Sequence, residues 1–145
     1  MRHVLLILSF LLLPSYSLAK SFGDFEGAVY VRNYDGDTVT FNLPGLHPII
    51  GEKISIRVNG IDTPEIRGKC EKEKYDAKQA KEMVADIIKD AERVDLKNME
   101  RGKYFRIAAD VFVDGENLGD MLIESGMAVS YDGGKKSHKW CESGE

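Results

Sequence analysis

The chain has 145 residues, with 24 acidic against 20 basic side chains, a formal net charge of −4, two cysteines and three histidines. That balance excludes a protein that holds nucleic acid through an all-over basic field, although it leaves room for a local basic cleft. His3 stands near the start and His47 and His138 are far apart, so zinc-ligand spacing is absent and a zinc enzyme is set aside.

Met1-Arg2-His3 is a short basic start, Val4 to Leu13 is almost wholly apolar, and Pro14 ends the run. Ser17-Leu18-Ala19 then offers the small-x-small pattern of a signal-peptidase site, so residues 1–19 read as a signal peptide. The apolar run is too short for a permanent membrane span. No cysteine follows the cut, so no lipid anchor is expected there. Residues 20–145 then form a single domain, exported to the periplasm or the medium, with no membrane attachment in its mature form. In such a compartment Cys70 and Cys141, the only cysteines, are expected to form one disulfide.

Lys20 to Asp24 reads as a loose start. Phe25 to Val31 reads as a first strand, and Asn33-Tyr34-Asp35-Gly36 as a hairpin turn. From Asp37, the apolar Val39, Phe41 and Leu43 alternate with Thr38, Thr40 and Asn42, which predicts a second strand with Asp37 at the rim of the core. Leu43 to Gly51 holds too many breakers for an element and reads as loop, with His47 structural. Ile54, Ile56 and Val58 alternate in a third strand whose other face carries Arg57. Asn59-Gly60 breaks that strand, and Pro64 holds Asp62-Thr63-Pro64-Glu65 as a stiff corner.

Ile66 to Lys74 reads as a surface loop. From Tyr75 on, Ala80, Met83, Val84, Ile87, Ile88 and Ala91 recur at helical spacing and predict an amphipathic helix of four to five turns. Val94 and Leu96 mark a fourth strand and Glu100-Arg101-Gly102 a turn. A fifth strand puts Phe105, Ile107, Ala109, Val111 and Val113 on one face and Arg106 on the other. Asn117 is placed to cap a short helix ending near Gly126, Met127 to Tyr131 is a last short strand, and the tail has no periodicity. Five strands in so short a chain need their edges covered, which predicts a small closed barrel.

Three dispersed features meet at one end of such a barrel: Asp37, the corner from Arg57 to Glu65, and Lys103-Tyr104-Phe105-Arg106. Oxygen ligands from Asp37 and Asp62 suit Ca²⁺ or Mg²⁺ rather than a soft metal. Two arginines, Arg57 and Arg106, suit a phosphate, and Glu65 is a spare carboxylate able to take a proton from water. Singly, each is also what a solvated turn or strand face looks like. Together they describe phosphodiester hydrolysis.

Tyr34-Asp35-Gly36-Asp37-Thr38, Arg57, Ile61-Asp62-Thr63-Pro64-Glu65 and Lys103-Tyr104-Phe105-Arg106 closely resemble the staphylococcal-nuclease-like, or thermonuclease, family over roughly Phe25 to Tyr131. The resemblance implies an OB-fold, a five-stranded Greek-key β-barrel with about two α-helices. It also implies Ca²⁺-dependent cleavage of DNA and RNA, leaving 3′-phosphate ends. The expected partner is single-stranded or locally unpaired DNA and RNA, and the expected state a monomer. Matched by position, Asp37, Asp62 and the Thr63 carbonyl would bind Ca²⁺. Glu65 would act as general base or orient the attacking water, and Arg57 and Arg106 would stabilise charge on the phosphate. Lys103, Tyr104 and Tyr131 would contact the substrate. The chain departs from the pattern in its acidic balance, in ending soon after Tyr131, in the spacing between Gly126 and Tyr131, and in Phe105 where glycine often stands.

A catalytically silent OB-fold binding module is the alternative, but such relatives usually lack several of these arginine and carboxylate positions. A small exported inhibitor or structural domain leaves the Asp, Arg and Glu set unexplained. The Cys70–Cys141 bond would tie the tail to the active-site side of the barrel.

Overall fold

A computed structural model describes residues 21–141; the leader read at residues 1–19 and residues 142–145 lie outside the described part. In chain order the elements are β1 (Phe25–Glu26), β2 (Val29–Asn33), β3 (Thr38–Asn42), α1 (Pro48–Gly51), β4 (Ile54–Val58), β5 (Ile61–Asp62) and α2 (Glu71–Lys89). There follow β6 (Val94–Arg101), a 3-10 turn (Lys103–Phe105), β7 (Ile107–Val113), β8 (Glu116–Asn117), α3 (Leu118–Glu124) and β9 (Val129–Ser130).

The main sheet has the order β1-β6-β7-β4-β3-β2, with β8 added beside β7. Its ladders are antiparallel except that between β4 and β7. A parallel pair needs a long crossover, and α2 with β6 supplies it. The two end strands of this order, β1 and β2, are consecutive pieces of one bent segment. The bend falls at Gly27, whose φ of 73° lies where a side chain would be strained. Beside it the Ala28 N–H donates to the Val94 carbonyl at 2.8 Å. One segment therefore leaves β6 and joins β3, curling the sheet round into an OB-fold barrel of α+β class.

Alternation fills the interior as the sequence predicts. Val39 and Phe41 of β3, Ile56 and Val58 of β4, and Ala109 and Val111 of β7 are all buried. α2 brings Val84 and Ile88 to the same core, and α3 brings Leu118 and Leu122. α3 starts at its expected cap, where Asn117 Oδ1 accepts from the Gly119 N–H at 2.8 Å.

Several expectations need correction. α2 begins at Glu71, not Tyr75, because its first turn is capped from both sides. Cys70 Sγ accepts from the Glu73 N–H at 3.4 Å, and the Glu73 carboxylate reaches back to accept from the Lys69 N–H at 2.9 Å. That is the reciprocal logic of a capping box with a sulfur where Ser or Thr usually stands. Pro48–Gly51 forms one helical turn inside the expected loop, started by His47, whose Nδ1 accepts from the Ile49 N–H. β6 runs on to Arg101 through the expected turn. Ser21 to Asp24 is no loose start: the Phe22 N–H donates to the Met99 carbonyl at 2.7 Å, and Asp24 Oδ1 accepts from the Asn98 N–H at 2.8 Å. Phe105 does not share the buried face of β7; it is 82% exposed, with φ of 59°.

Candidate active site

β4 is a central strand of the barrel, with Arg57 opposite Thr38 of β3 on one side and Ala108 of β7 on the other. Its alternation sends Ile56 and Val58 inward and Arg57 out into a cleft of about 920 Å³, whose walls also carry Asp35, Asp37, Glu65, Arg106 and Tyr131. The Arg57 guanidinium forms an ion pair with Asp37 Oδ1, lies 3.9 Å from Asp62 Oδ1, and donates to the Ile61 carbonyl at 3.0 Å. Burial lowers the Arg57 pKa from its ordinary value, against the pull of Asp35 and Asp62 and with the push of Arg106.

Asp37 was expected at the rim, yet it is 3% exposed. Its position is fixed through the backbone, since its carbonyl accepts from the Val58 N–H at 2.8 Å and its Oδ2 accepts from the Thr63 N–H at 3.2 Å. The hairpin turn before it comes close to the corner. A Cβ on Gly36 would stand 2.9 Å from Thr63 Cγ2, so glycine lets the two carboxylate-bearing segments meet. Asp35, part of the motif but given no role from sequence, is buried and accepts from the Asp37 N–H at 3.1 Å. Burial raises its pKa, with Glu65 adding to the rise and Thr38 and Arg57 opposing it.

Asp62 lies in β5, which pairs with β9. Asp62 and Thr63 are both buried, and Asp62 Oδ1 and Thr63 Oγ1 make no hydrogen bond. Glu65 sits outside them on the corner, with its side chain 50% exposed. The buried Glu73 of α2 steadies that corner, its Oε1 accepting from the Glu65 N–H at 3.4 Å.

Asp37, Arg57, Asp62, Thr63 and Glu65 therefore converge. Arg106 faces the same cleft from the start of β7, and Tyr104 stands at its edge, 89% exposed. Tyr131 lines the cleft too, but its hydroxyl donates to the Gly134 carbonyl at 2.7 Å. The side chain of Lys103, the remaining expected contact, lies outside the described part. Cys70 and Cys141 are joined in a disulfide, as expected, and no other cysteine remains.

Sequence reasoning placed the tail on the active-site side through the Cys70–Cys141 bond but missed the contacts that Lys136 and Trp140 make there. Lys136 Nζ forms ion pairs with Asp62 Oδ1 at 2.7 Å and with Glu65 Oε1 at 2.5 Å. Burial works against this ammonium, but Asp62 and Glu65 outweigh it and hold its pKa above the ordinary lysine value. Trp140 Nε1 donates to Asp62 Oδ2 at 3.4 Å. The only sequence signal for this packing was the pairing of Cys141 with Cys70, beside the corner.

Chemically, the site offers a pair of buried aspartates with hard oxygen donors, two guanidinium groups facing one cleft, and a half-exposed glutamate at its border. Residues 55–142 match the family model described as staphylococcal nuclease homologue. No curated protein matches the chain.

Proposed function

The chain belongs to the staphylococcal nuclease homologue family, and from that premise we propose that it is an exported, Ca²⁺-dependent phosphodiesterase that hydrolyses DNA and RNA to 3′-phosphate ends. The observation that carries the reading is the Arg57 guanidinium held between Asp37 and Asp62, with Arg106 facing the same cleft and Glu65 beside it.

The residues present fit a calcium ion. Asp37 and Asp62 are hard oxygen donors, the buried Thr63 Oγ1 has no hydrogen-bond partner, and Asp62 Oδ1 already draws a cation, the Lys136 ammonium at 2.7 Å. Asp37, Asp62 and the Thr63 carbonyl would hold the ion, which when bound supplies positive charge to a phosphate oxygen. Arg57 and Arg106 bind the phosphate's other oxygens and stabilise the negative charge that builds as water attacks phosphorus. Glu65 accepts the proton that the water loses. The phosphorus–5′-oxygen bond breaks, the 5′-oxygen takes up a proton, and the phosphate stays on the 3′ side. Lys103 and Tyr104 are assigned to the terminal phosphate, and Tyr131 to the nucleotide.

Export to the periplasm or the medium is part of the same proposal. It rests on the leader pattern of residues 1–19 and on the disulfide, which belongs to an oxidising compartment. A second reading, a binding module without catalysis, draws on one observation: the Lys136 ammonium already occupies the side of Asp62 and Glu65. Purified protein lacking residues 1–19, incubated with single-stranded DNA in Ca²⁺ and in chelator, separates the two. Cleavage in Ca²⁺ alone supports the nuclease; undiminished cleavage in chelator refutes the metal dependence, and binding without cleavage favours the module.

A further inference from the structure

The tail leaves β9, passes the Glu65 corner and ends at the disulfide to Cys70. It walls a second groove of about 850 Å³. Arg67, Gly68 and Lys69 line it from the loop before α2, and Lys135, His138 and Trp140 line it from the tail. Arg67, Lys69, Lys135 and His138 are all exposed. The two basic segments are distant in sequence, and the bond that holds them at one groove closes a separation of 71 residues. In a chain with a net charge of −4, cations gathered around one groove reflect placement rather than composition. Three acids also line it: Glu73 is buried and engaged by the Lys69 and Glu65 N–H groups, while Asp62 and Glu65 are both ion-paired with Lys136. Glu65 and Lys136 line both the groove and the main cleft, so the two run together at the corner where the proposed base stands.

We propose that the tail groove is a second subsite for the substrate strand. It takes the phosphates on one side of the scissile bond while the main cleft takes those on the other. Arg67, Lys69 and Lys135 neutralise backbone phosphates, a contact that does not depend on sequence. The His138 ring meets Trp140 edge to face at 4.3 Å between centroids, and a base stacks on the exposed face of His138. The ligand is an unpaired strand, whose bases are free to turn onto that ring. The choice of nucleic acid rests on the nuclease reading above, so the test measures binding apart from cleavage.

The experiment uses the oxidised protein without residues 1–19, in chelator, and follows fluorescence anisotropy of labelled oligothymidylates across a range of salt concentrations. One oligomer is of about 16 nucleotides, at the upper end of single-strand site sizes, and the other is a trinucleotide. Lys69→Gln/Lys135→Gln removes two phosphate contacts, so the slope of log affinity against log salt for the long oligomer should flatten by about 1.4. The preference for the long oligomer over the trinucleotide should fall at least ~5-fold, since the trinucleotide does not span both grooves. Cys70→Ser/Cys141→Ser should produce the same loss by untying the tail. If that variant fails to fold, the surface lysine pair still decides the matter. An unchanged slope and affinity for the long oligomer would overturn the proposal. So would an equal loss on the trinucleotide, which would put these cations in the main cleft, or oligoglutamate competing as well as the oligonucleotide. A protein that binds as stated but cleaves nothing in Ca²⁺ would sink the nuclease reading and leave the groove standing.

Discussion

Lys136→Met should tighten Ca²⁺ binding. In the folded chain the Lys136 ammonium lies 2.7 Å from Asp62 Oδ1 and 2.5 Å from Glu65 Oε1, on the side of Asp62 that a metal ion would approach. A tethered monocation and a free dication compete for the same charge. The Glu65 contact joins two half-exposed side chains, 43% and 50%, so it is worth only about 0.2–1 kcal/mol. The Asp62 oxygen is buried and contributes more, which gives a combined bias of about 1–2 kcal/mol after screening. At about 1.4 kcal/mol per factor of ten, the dissociation constant should fall by about 5- to 30-fold. Trp140, the only tryptophan, has its Nε1 3.4 Å from Asp62 Oδ2 and supplies a fluorescence signal at the site itself. Calorimetry without nucleic acid provides an independent isotherm. Lys135→Met changes net charge equally, so it separates local contact from the general field. Ca²⁺ affinity that is unchanged or weaker in Lys136→Met, or raised equally in Lys135→Met, would refute the competition.

Glu65→Gln, Arg57→Ala and Arg106→Ala should each slow cleavage of single-stranded DNA by at least ~100-fold, since each removes a base or a transition-state cation. Initial rates at saturating Ca²⁺ test this, and a fully active triple variant would contradict the assignment. Reducing the Cys70–Cys141 bond, which spans 71 residues, should cost about 4 kcal/mol by loop entropy as an upper figure, read as a lower melting temperature. An identical melt in reductant and oxidant would show that the bond does not restrain the unfolded chain. The hydrogen bond from Arg93 holds the Asp95 carboxyl below its ordinary value of 3.8, so its stabilisation is present above that pH and lost as pH falls through the lowered pKa. Arg93→Ala should therefore flatten the fall of melting temperature on acidification below about pH 4, and a melt series across that window shows whether it does.

Most of the barrel was legible because its strands have one wet face. Thr38 to Asn42 and Ile54 to Val58 alternate, and Val39, Phe41, Ile56 and Val58 are buried as the period assigned, while Thr40, assigned to the wet face, is buried as well. Asp37, Arg57, Asp62 and Glu65 could be singled out because they stand at strand ends, on the outward strand face or on the proline-stiffened corner, whereas Thr63 entered only through the family resemblance. The start of α2 was hidden, since a disulfide-bonded cysteine and a glutamate folded backwards make a cap that sequence patterns do not announce. Phe105 was misplaced because continuing the alternation of β7 ignores the 3-10 turn and its left-handed residues Tyr104 and Phe105. The burial of Asp37 and the insertion of Lys136 depend on contacts between distant segments, and no local period encodes those.

The two halves of the site are fastened to the molecule in different ways. Arg57 hangs from ladders in the middle of the barrel, and the Asp37 carbonyl is tied to the same strand by the Val58 N–H, so the Arg57 and Val58 amides should exchange with solvent only on openings that break the central sheet. Glu65 hangs from a corner held by a glutamate side chain and a tail lysine, contacts that a local opening can release. Arg57 and Asp37 should thus keep their arrangement through fluctuations that repeatedly unseat Glu65. On the proposed nuclease reading, substrate could slide past Glu65 without disassembling the charges that would hold it.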